Sequence, residues 1–419
     1  MSERLMIDVG RVGDQFFCQL SGKQDGAMPF DIGATASAGD VQASGARIFD
    51  ELCKNREVKK AIERALDGDS QPIYINATTI LAQAVRWEAL WGAPAGFVSL
   101  DQRWPIARVA GADVARTPIT FAQPLRILAV ISAEGRPGEP EWRALQDAAE
   151  AATRSGLAVQ IHVLTGEAAL FQALQPPPAN WITVAPVPAT VDELSVEVGR
   201  FGPHVLHFFC HGQVDAGNAY LEIMGNNREL QLSIRDLLQI PGLDNVWLVV
   251  LNSCLGGASM QDYPSMAYRI VSDGKVPFAI GATENVEVRD ANTFSRAFYN
   301  RLLFTFGEGI KKATANGVLT LEWGAALHAA RRAISQAYQD KPATFHQWTL
   351  PILYEHRTRL QLIMQGTQKP DDLPAPAPDP AAALRVKMAA ELLAALPPGT
   401  SEATKNSLVA AILNPPHGG

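Results

Sequence analysis

Two stretches of this chain end in residues that can do covalent chemistry. Residues 205–212 read Val-Leu-His-Phe-Phe-Cys-His-Gly, and residues 246–257 read Val-Trp-Leu-Val-Val-Leu-Asn-Ser-Cys-Leu-Gly-Gly. Each is an apolar run that delivers a reactive side chain with glycine close behind: His211 in the first, Cys254 in the second. A thiol becomes a nucleophile when a base or a positive environment favours its thiolate. An imidazole can accept that proton and later return it to a departing amine. An acyl intermediate also needs donors for its oxyanion. The backbone N–H groups of Gly212 and Cys254 are the candidates, because glycine lets backbone approach a substrate closely. No third acid is evident, and Asp215 and Asp290 are candidates for orienting or recognition roles.

Taken singly, these residues have plainer explanations. A cysteine at a strand end is more often a small buried hydrophobe than a nucleophile, and a lone histidine after an apolar run is usually structural. The joint pattern is rarer, with two buried strands close together that end His-Gly and Cys-x-Gly. Cys210 should point to the sheet face opposite His211 and pack there. Cys18 and Cys53 also read as packing residues. His207 shares a face with His211 but lies too deep for the crevice, which makes it a hydrogen-bonded core histidine.

The elements that must position the pair form an α/β domain with a mostly parallel sheet flanked by helices. From residue 125 strands and helices alternate, as such a sheet requires. Strands are expected at 125–132 and 157–164, and helices at 142–155, 168–174 and 190–201. The His211 strand follows, then a hairpin at 219–223 and 229–232, a helix at 234–239 and the Cys254 strand. A helix at 263–273, a strand at 276–281 and a helix at 290–306 continue the repeat, and a helix at 323–336 and an apolar stretch at 345–354 close the core. Sites in such sheets lie at the carboxyl edge of the strands, where both His211 and Cys254 fall. Upstream, short strands are expected at 5–9, 15–20 and 73–76, with helical spacing over 45–67 and 79–90. The expected organisation is a small N-terminal α+β region at 1–120, the core at 121–360, a Pro-rich linker at 366–380 and a C-terminal helical hairpin tail at 381–414.

The chain of 419 residues is 47% hydrophobic and 19% charged, enough for two or three domains with a sizeable core. A net charge of -7 argues against nucleic acid, which calls for clustered Lys and Arg. There is no signal-like N-terminus and no stretch of transmembrane length, so no membrane partner is expected. The four cysteines are far apart with no Cys-x-x-Cys pair. That indicates neither a metal site nor a disulfide framework, and a reducing, cytoplasmic setting fits. Gly10-Arg11-Val12-Gly13 lacks a full dinucleotide fingerprint, and no Gly-x-Ser-x-Gly elbow occurs.

The segment His-Phe-Phe-Cys-His-Gly (207–212) followed by Val-Val-Leu-Asn-Ser-Cys-Leu-Gly-Gly (249–257) resembles the CHAT peptidases, caspase-like cysteine proteases of clan CD. The usual family form has small residues before the His and Ser-Ala before the Cys, so Cys210 and Asn252-Ser253 are mild departures. Other segments from about residue 80 to 355 look like the same family: Arg86-Trp87-Glu88-Ala89-Leu90, Gly96 to Leu100, Pro277 to Ala282, and the stretch 345–354. The resemblance implies a caspase–hemoglobinase fold, endopeptidase activity without a cofactor, His211 as the catalytic histidine and Cys254 as the nucleophile. It also implies an S1 pocket near 282–290, where Glu284, Glu287 and Asp290 stand against one Arg289. An acidic pocket would favour Lys or Arg at P1, and a solvated acidic loop is the other reading. Family members often act in bacterial immunity or programmed death and are switched on by a protein partner. The leading expectation is a regulated cysteine endopeptidase with a protein substrate. The alternative is a catalytically silent adaptor that binds partners. A nucleotide-binding module is disfavoured by the missing phosphate loop. The tail could recruit a partner or cover the active site.

Overall fold

Six consecutive parallel strands make the centre of the molecule. In spatial order they are Ile182–Pro186, Val159–Thr165, Leu125–Ile131, Val205–Phe209, Leu248–Leu251 and Phe278–Ala282. The computed structural model describes residues 4–365 apart from 24–25, 36–39, 69–70, 93–94, 112–115, 216–217, 226–227, 260–263, 274–275 and 314–316. The Pro-rich segment and the expected tail lie outside the described residues. Strands buried on both faces must be apolar at nearly every position. Leu125–Ile131 is buried except at Arg126, and Leu248–Leu251 is buried throughout. Side chains alternate in direction along a strand. Ile127, Ala129 and Ile131 therefore pack with Trp142, Leu145 and Phe298, from the helices Glu139–Arg154 and Val288–Lys312, on one face. Leu128 and Val130 pack on the other face with Leu194, Leu237 and Ile270, from the helices Val191–Phe201, Ile234–Gln239 and Met266–Ser272.

The sheet does not stop where the six strands end. Pro351–His356 pairs antiparallel with Phe278–Ala282. Ile106–Ala110, Ile73–Ala77 and Leu5–Val12 then add in parallel, and Gln15–Leu20 and Met28–Pro29 complete a 12-stranded sheet. The N-terminal residues thus extend the same sheet across position 120. The strands Ile106–Ala110 and Ile182–Pro186 were not legible in the pattern. Two helical expectations also change. The stretch 45–67 is two helices, Val41–Cys53 and Arg56–Asp67, because the Asn55 side chain accepts from the Glu57 and Val58 N–H groups and starts the second one. The stretch 79–90 is α-helical only over Ile80–Ala84, with a single 3-10 turn at Trp87–Ala89. Beyond it the chain turns to bury Glu88, which accepts from Arg108 Nε at 3.0 Å and Nη2 at 2.6 Å.

After Leu125–Ile131 the chain builds outward through two strands. It then returns to place Val205–Phe209 on the opposite side of Leu125–Ile131 and builds the other way. That reversal opens a crevice at the carboxyl ends of these two neighbours. The core strand ends at Phe209. His211 is therefore not its last residue but the first of a separate antiparallel sheet, His211–Asp215, Asn218–Met224 and Glu229–Ser233, above the crevice.

Candidate active site

Val205–Phe208 pairs in register with Leu248–Leu251, and the Asn252 N–H donates to the Phe208 carbonyl at 2.9 Å. Both chains therefore leave the sheet at the same level. A Cβ placed on Gly212 would lie 1.9 Å from the Cys254 carbonyl oxygen and 3.3 Å from Ser253 Oγ. The backbone behind His211 thus rests directly on the backbone of Cys254, and only glycine permits this. Immediately after Cys254 the chain turns sharply, with Leu255 at a left-handed φ of 59°, a conformation uncommon for a residue with a side chain. The turn is pinned to the neighbouring strand by the Gly257 N–H, which donates to the Ala282 carbonyl at 2.8 Å. A Cβ on Gly281 would meet Gly256 C at 2.5 Å, so the turn and that strand also touch backbone to backbone.

His211 is partly exposed, and its Nε2 lies 2.8 Å from the Glu134 carbonyl oxygen. A carbonyl only accepts, so Nε2 carries the hydrogen and the neutral ring keeps its lone pair on Nδ1. The group that orients the imidazole is thus a backbone carbonyl from the loop after Leu125–Ile131. No sequence signal marks such a group, and a search for a third acid misses it. Cys254 is partly exposed, and its Sγ sits 4.0 Å from the Val286 carbonyl oxygen, with no hydrogen bond to His211. Its backbone N–H donates to no acceptor among the described residues.

The other cysteines differ. Cys18 and Cys210 are buried, and burial pushes the Cys210 thiol far up. Burial likewise raises Cys18 and Cys53 to about 11. His207 is fully buried, with Nδ1 3.0 Å from the Tyr299 hydroxyl.

The three acidic residues after Phe278–Ala282 have three different settings. Glu284 pairs with Arg86 and lies 3.0 Å from His346 Nε2, so its charge is already met. Glu287 is exposed at the start of Val288–Lys312. Asp290 is buried and accepts from the Tyr338 hydroxyl at 2.7 Å. Burial raises its carboxyl above the ordinary value, opposed by Tyr338 and Arg289. It lines a cavity of about 20 Å³ with Leu251, Asn252, Ala282 and Val286. The cavity therefore borders the Cys254 turn, and its size suits a water molecule rather than a side chain. The side chain of Asp215 lies outside the described residues. No helix among the described residues is long and apolar enough to cross a membrane.

No curated protein matches this sequence. Among solved structures, the chain is similar to the crystal structure of the Arg-specific cysteine proteinase gingipain R (RGPB). The TM-score is 0.43 at 12% identity, over 71% of this chain and 67% of that one. It is also similar to the complex of Porphyromonas gingivalis RgpB pro- and mature domains, with a TM-score of 0.44 at 14% identity, over 74% of this chain and 68% of that one. The family model of the CHAT domain matches residues 42–356. That span takes in the strands that lead to His211 and Cys254 and most of the sheet, and the chain belongs to the CHAT domain family.

Proposed function

We propose that this chain is a cysteine endopeptidase in which His211 activates Cys254. His211 Nδ1 takes the Sγ proton, and the thiolate attacks the scissile carbonyl carbon. The displaced electron pair moves onto the carbonyl oxygen, which the backbone N–H groups of Gly212 and Cys254 receive. Collapse expels the amine, protonated by the same imidazole, and water then hydrolyses the thioester. The observation that carries this reading is the contact of the Gly212 backbone with the Cys254 carbonyl, with the imidazole of His211 held by Glu134. Asp290 is the candidate to receive Lys or Arg at P1 once the small cavity beside the turn widens. Glu284 is less suited, since Arg86 and His346 already occupy its oxygens.

Cys254 Sγ points toward Val286 rather than His211, so activation needs a side-chain rotation that the free chain samples and a protein partner would hold in place. A role in bacterial defence or programmed death belongs to the same proposal and rests on family resemblance. The test compares wild type, Cys254→Ala and His211→Ala on candidate partner proteins and on peptides with Lys, Arg or Ala at P1. Cleavage by wild type alone supports the reading, and equal cleavage by all three sinks it. The unaligned thiol equally favours the adaptor. That reading gains if Cys254 reacts with iodoacetamide no faster than the other three cysteines even with a partner bound.

A further inference from the structure

Beneath the crevice lies a polar network that the reaction steps do not use. Glu141 on the helix Glu139–Arg154 is fully buried, as are His207, Ser295 and Tyr299, and Asn252 is 9% exposed. Three groups converge on one oxygen, Glu141 Oε1. His207 Nε2 lies 2.9 Å from it, Asn252 Nδ2 donates to it at 2.9 Å, and the Ser295 hydroxyl donates to it as well. Asn252 Nδ2 also reaches the Ala291 carbonyl at 3.1 Å and Ser295 Oγ at 3.0 Å. The Tyr299 hydroxyl is 3.0 Å from His207 Nδ1. Burial, and then the charge of Glu141, push the Tyr299 hydroxyl well above its ordinary value, so it remains a donor. It can therefore occupy Nδ1, while Nε2 lies within ion-pair distance of Glu141 Oε1 without the geometry of a hydrogen bond.

The connectivity is what matters. His207 is on the strand that leads to His211, four residues upstream. Asn252 is two residues before Cys254, where its strand becomes the turn. One carboxylate on a third element therefore touches both chains, Asn252 through a hydrogen bond and His207 through close approach. The other oxygen, Glu141 Oε2, is buried with no hydrogen-bond partner. A buried ionic group with an unsatisfied oxygen is a poor way to gain stability, and apolar residues of similar volume often do as well. What such a group can supply is a fixed arrangement of the elements it joins.

We propose that Glu141 is a positioning residue that, through His207 and Asn252, sets where His211 stands relative to Cys254. This deepens the endopeptidase reading and rests on it, since it supposes that His211 and Cys254 act together. None of the three touches the reacting atoms.

The readout is the second-order rate of iodoacetamide alkylation at Cys254 in the full chain, followed by peptide mass spectrometry beside the melting temperature. It needs no substrate. Glu141→Gln, His207→Gln and Asn252→Ala should each lower the rate about tenfold or more while the fold persists, because misplacement on the order of 1 Å costs that much or more. The His207→Gln/Asn252→Ala double variant should be no slower than the slower single variant, since both act through one carboxylate. In the cleavage assay the same variants should lower kcat and leave KM within about twofold. Lower melting temperatures with an unchanged alkylation rate would make the network structural only and overturn the inference. Multiplicative losses in the double variant would overturn the shared role of Glu141. If Glu141→Gln does not fold, Ser295→Ala removes one donor to the same oxygen and is read in the same way. An unchanged rate in His211→Ala would instead defeat the His211–Cys254 pairing on which the inference rests, and that failure is distinguishable from the others.

Discussion

Gly212→Ala is the sharpest perturbation the structure offers. The backbone at Gly212 has no left-handed φ, so alanine could adopt it, and only space forbids the side chain. The new Cβ would sit 1.9 Å from the Cys254 carbonyl oxygen and 3.0 Å from its carbon, whereas real Cβ contacts essentially never fall under 3.0 Å. Both opposing atoms are main chain, so neither can swing aside as a flexible side chain would. The chain carrying His211 and the turn carrying Cys254 must separate by about 1 Å or more. Overpacking of this kind destabilises by about 1–3 kcal/mol, which a core of this size tolerates. The effect on chemistry should be larger, because misplacing reacting groups by about 1 Å costs on the order of 100-fold. The assay is Cys254 alkylation and peptide cleavage in Gly212→Ala, with Gly26→Ala as control. A Cβ added at Gly26 would have nothing within 4 Å, so that variant should behave as wild type. A Gly212→Ala protein that alkylates and cleaves at the wild-type rate, with an unchanged melting temperature, would refute the claim that this contact sets the site.

Iodoacetamide near neutral pH should label Cys254 first. Cys18 and Cys53, raised to about 11 by burial, hold only on the order of one thiolate in ten thousand molecules at pH 7, and Cys210 holds fewer. Peptide mapping of the first adduct checks this. Asp290→Asn should lower kcat/KM about 30-fold on peptides with Arg or Lys at P1 and leave Ala at P1 nearly unaffected, as expected when one partner of a buried charge pair is removed. Equal losses on all peptides would remove Asp290 from P1 recognition. Glu88→Gln should destabilise by about 3–5 kcal/mol in urea, because Arg108 and Arg331 are both buried and Glu88 is the carboxylate they share. Glu197 is held down at about 2 by His162 and then Arg200, against the opposing effect of burial. The stability it contributes is fully present above its unfolded value near 4.5 and is lost as pH falls through about 2. After discounting for its partial exposure this amounts to about 1 kcal/mol. Urea melts at pH 5 and pH 3 should show Glu197→Gln losing less stability than wild type over that interval.

How much was legible follows from the range of the interactions concerned. The apolar runs 125–131, 205–209 and 248–251 announce themselves because a strand covered on both faces must be apolar at nearly every position, which is a local requirement. The stops at Gly212 and Gly256-Gly257 are local too, and they marked where backbone would touch backbone. His207 is readable as a core residue from its depth in the same run, and Cys210 from its alternation with His211. The strand Ile182–Pro186 was hidden because only two of its five residues are apolar enough to stand out beside the prolines that precede it, and it lies at the sheet edge with mixed burial. The extension of the sheet by the first 110 residues was hidden for a different reason. Parallel pairing of Ile73–Ala77 with Ile106–Ala110, and of the latter with Pro351–His356, joins segments far apart in sequence.

The sequence alone determined which side chains could react and that an α/β sheet would carry them, because residue type and period are properties of short segments. The tertiary structure alone decided what surrounds them. It assigned the imidazole to the Glu134 carbonyl, 77 positions from His211, which no residue identity encodes. It paired Glu284 with Arg86 across 198 positions and left Asp290 beside the Cys254 turn. It brought Glu141 to Asn252 across 111 positions, beneath both strand ends. Each of these depends on a pair of groups that only the strand order brings within reach.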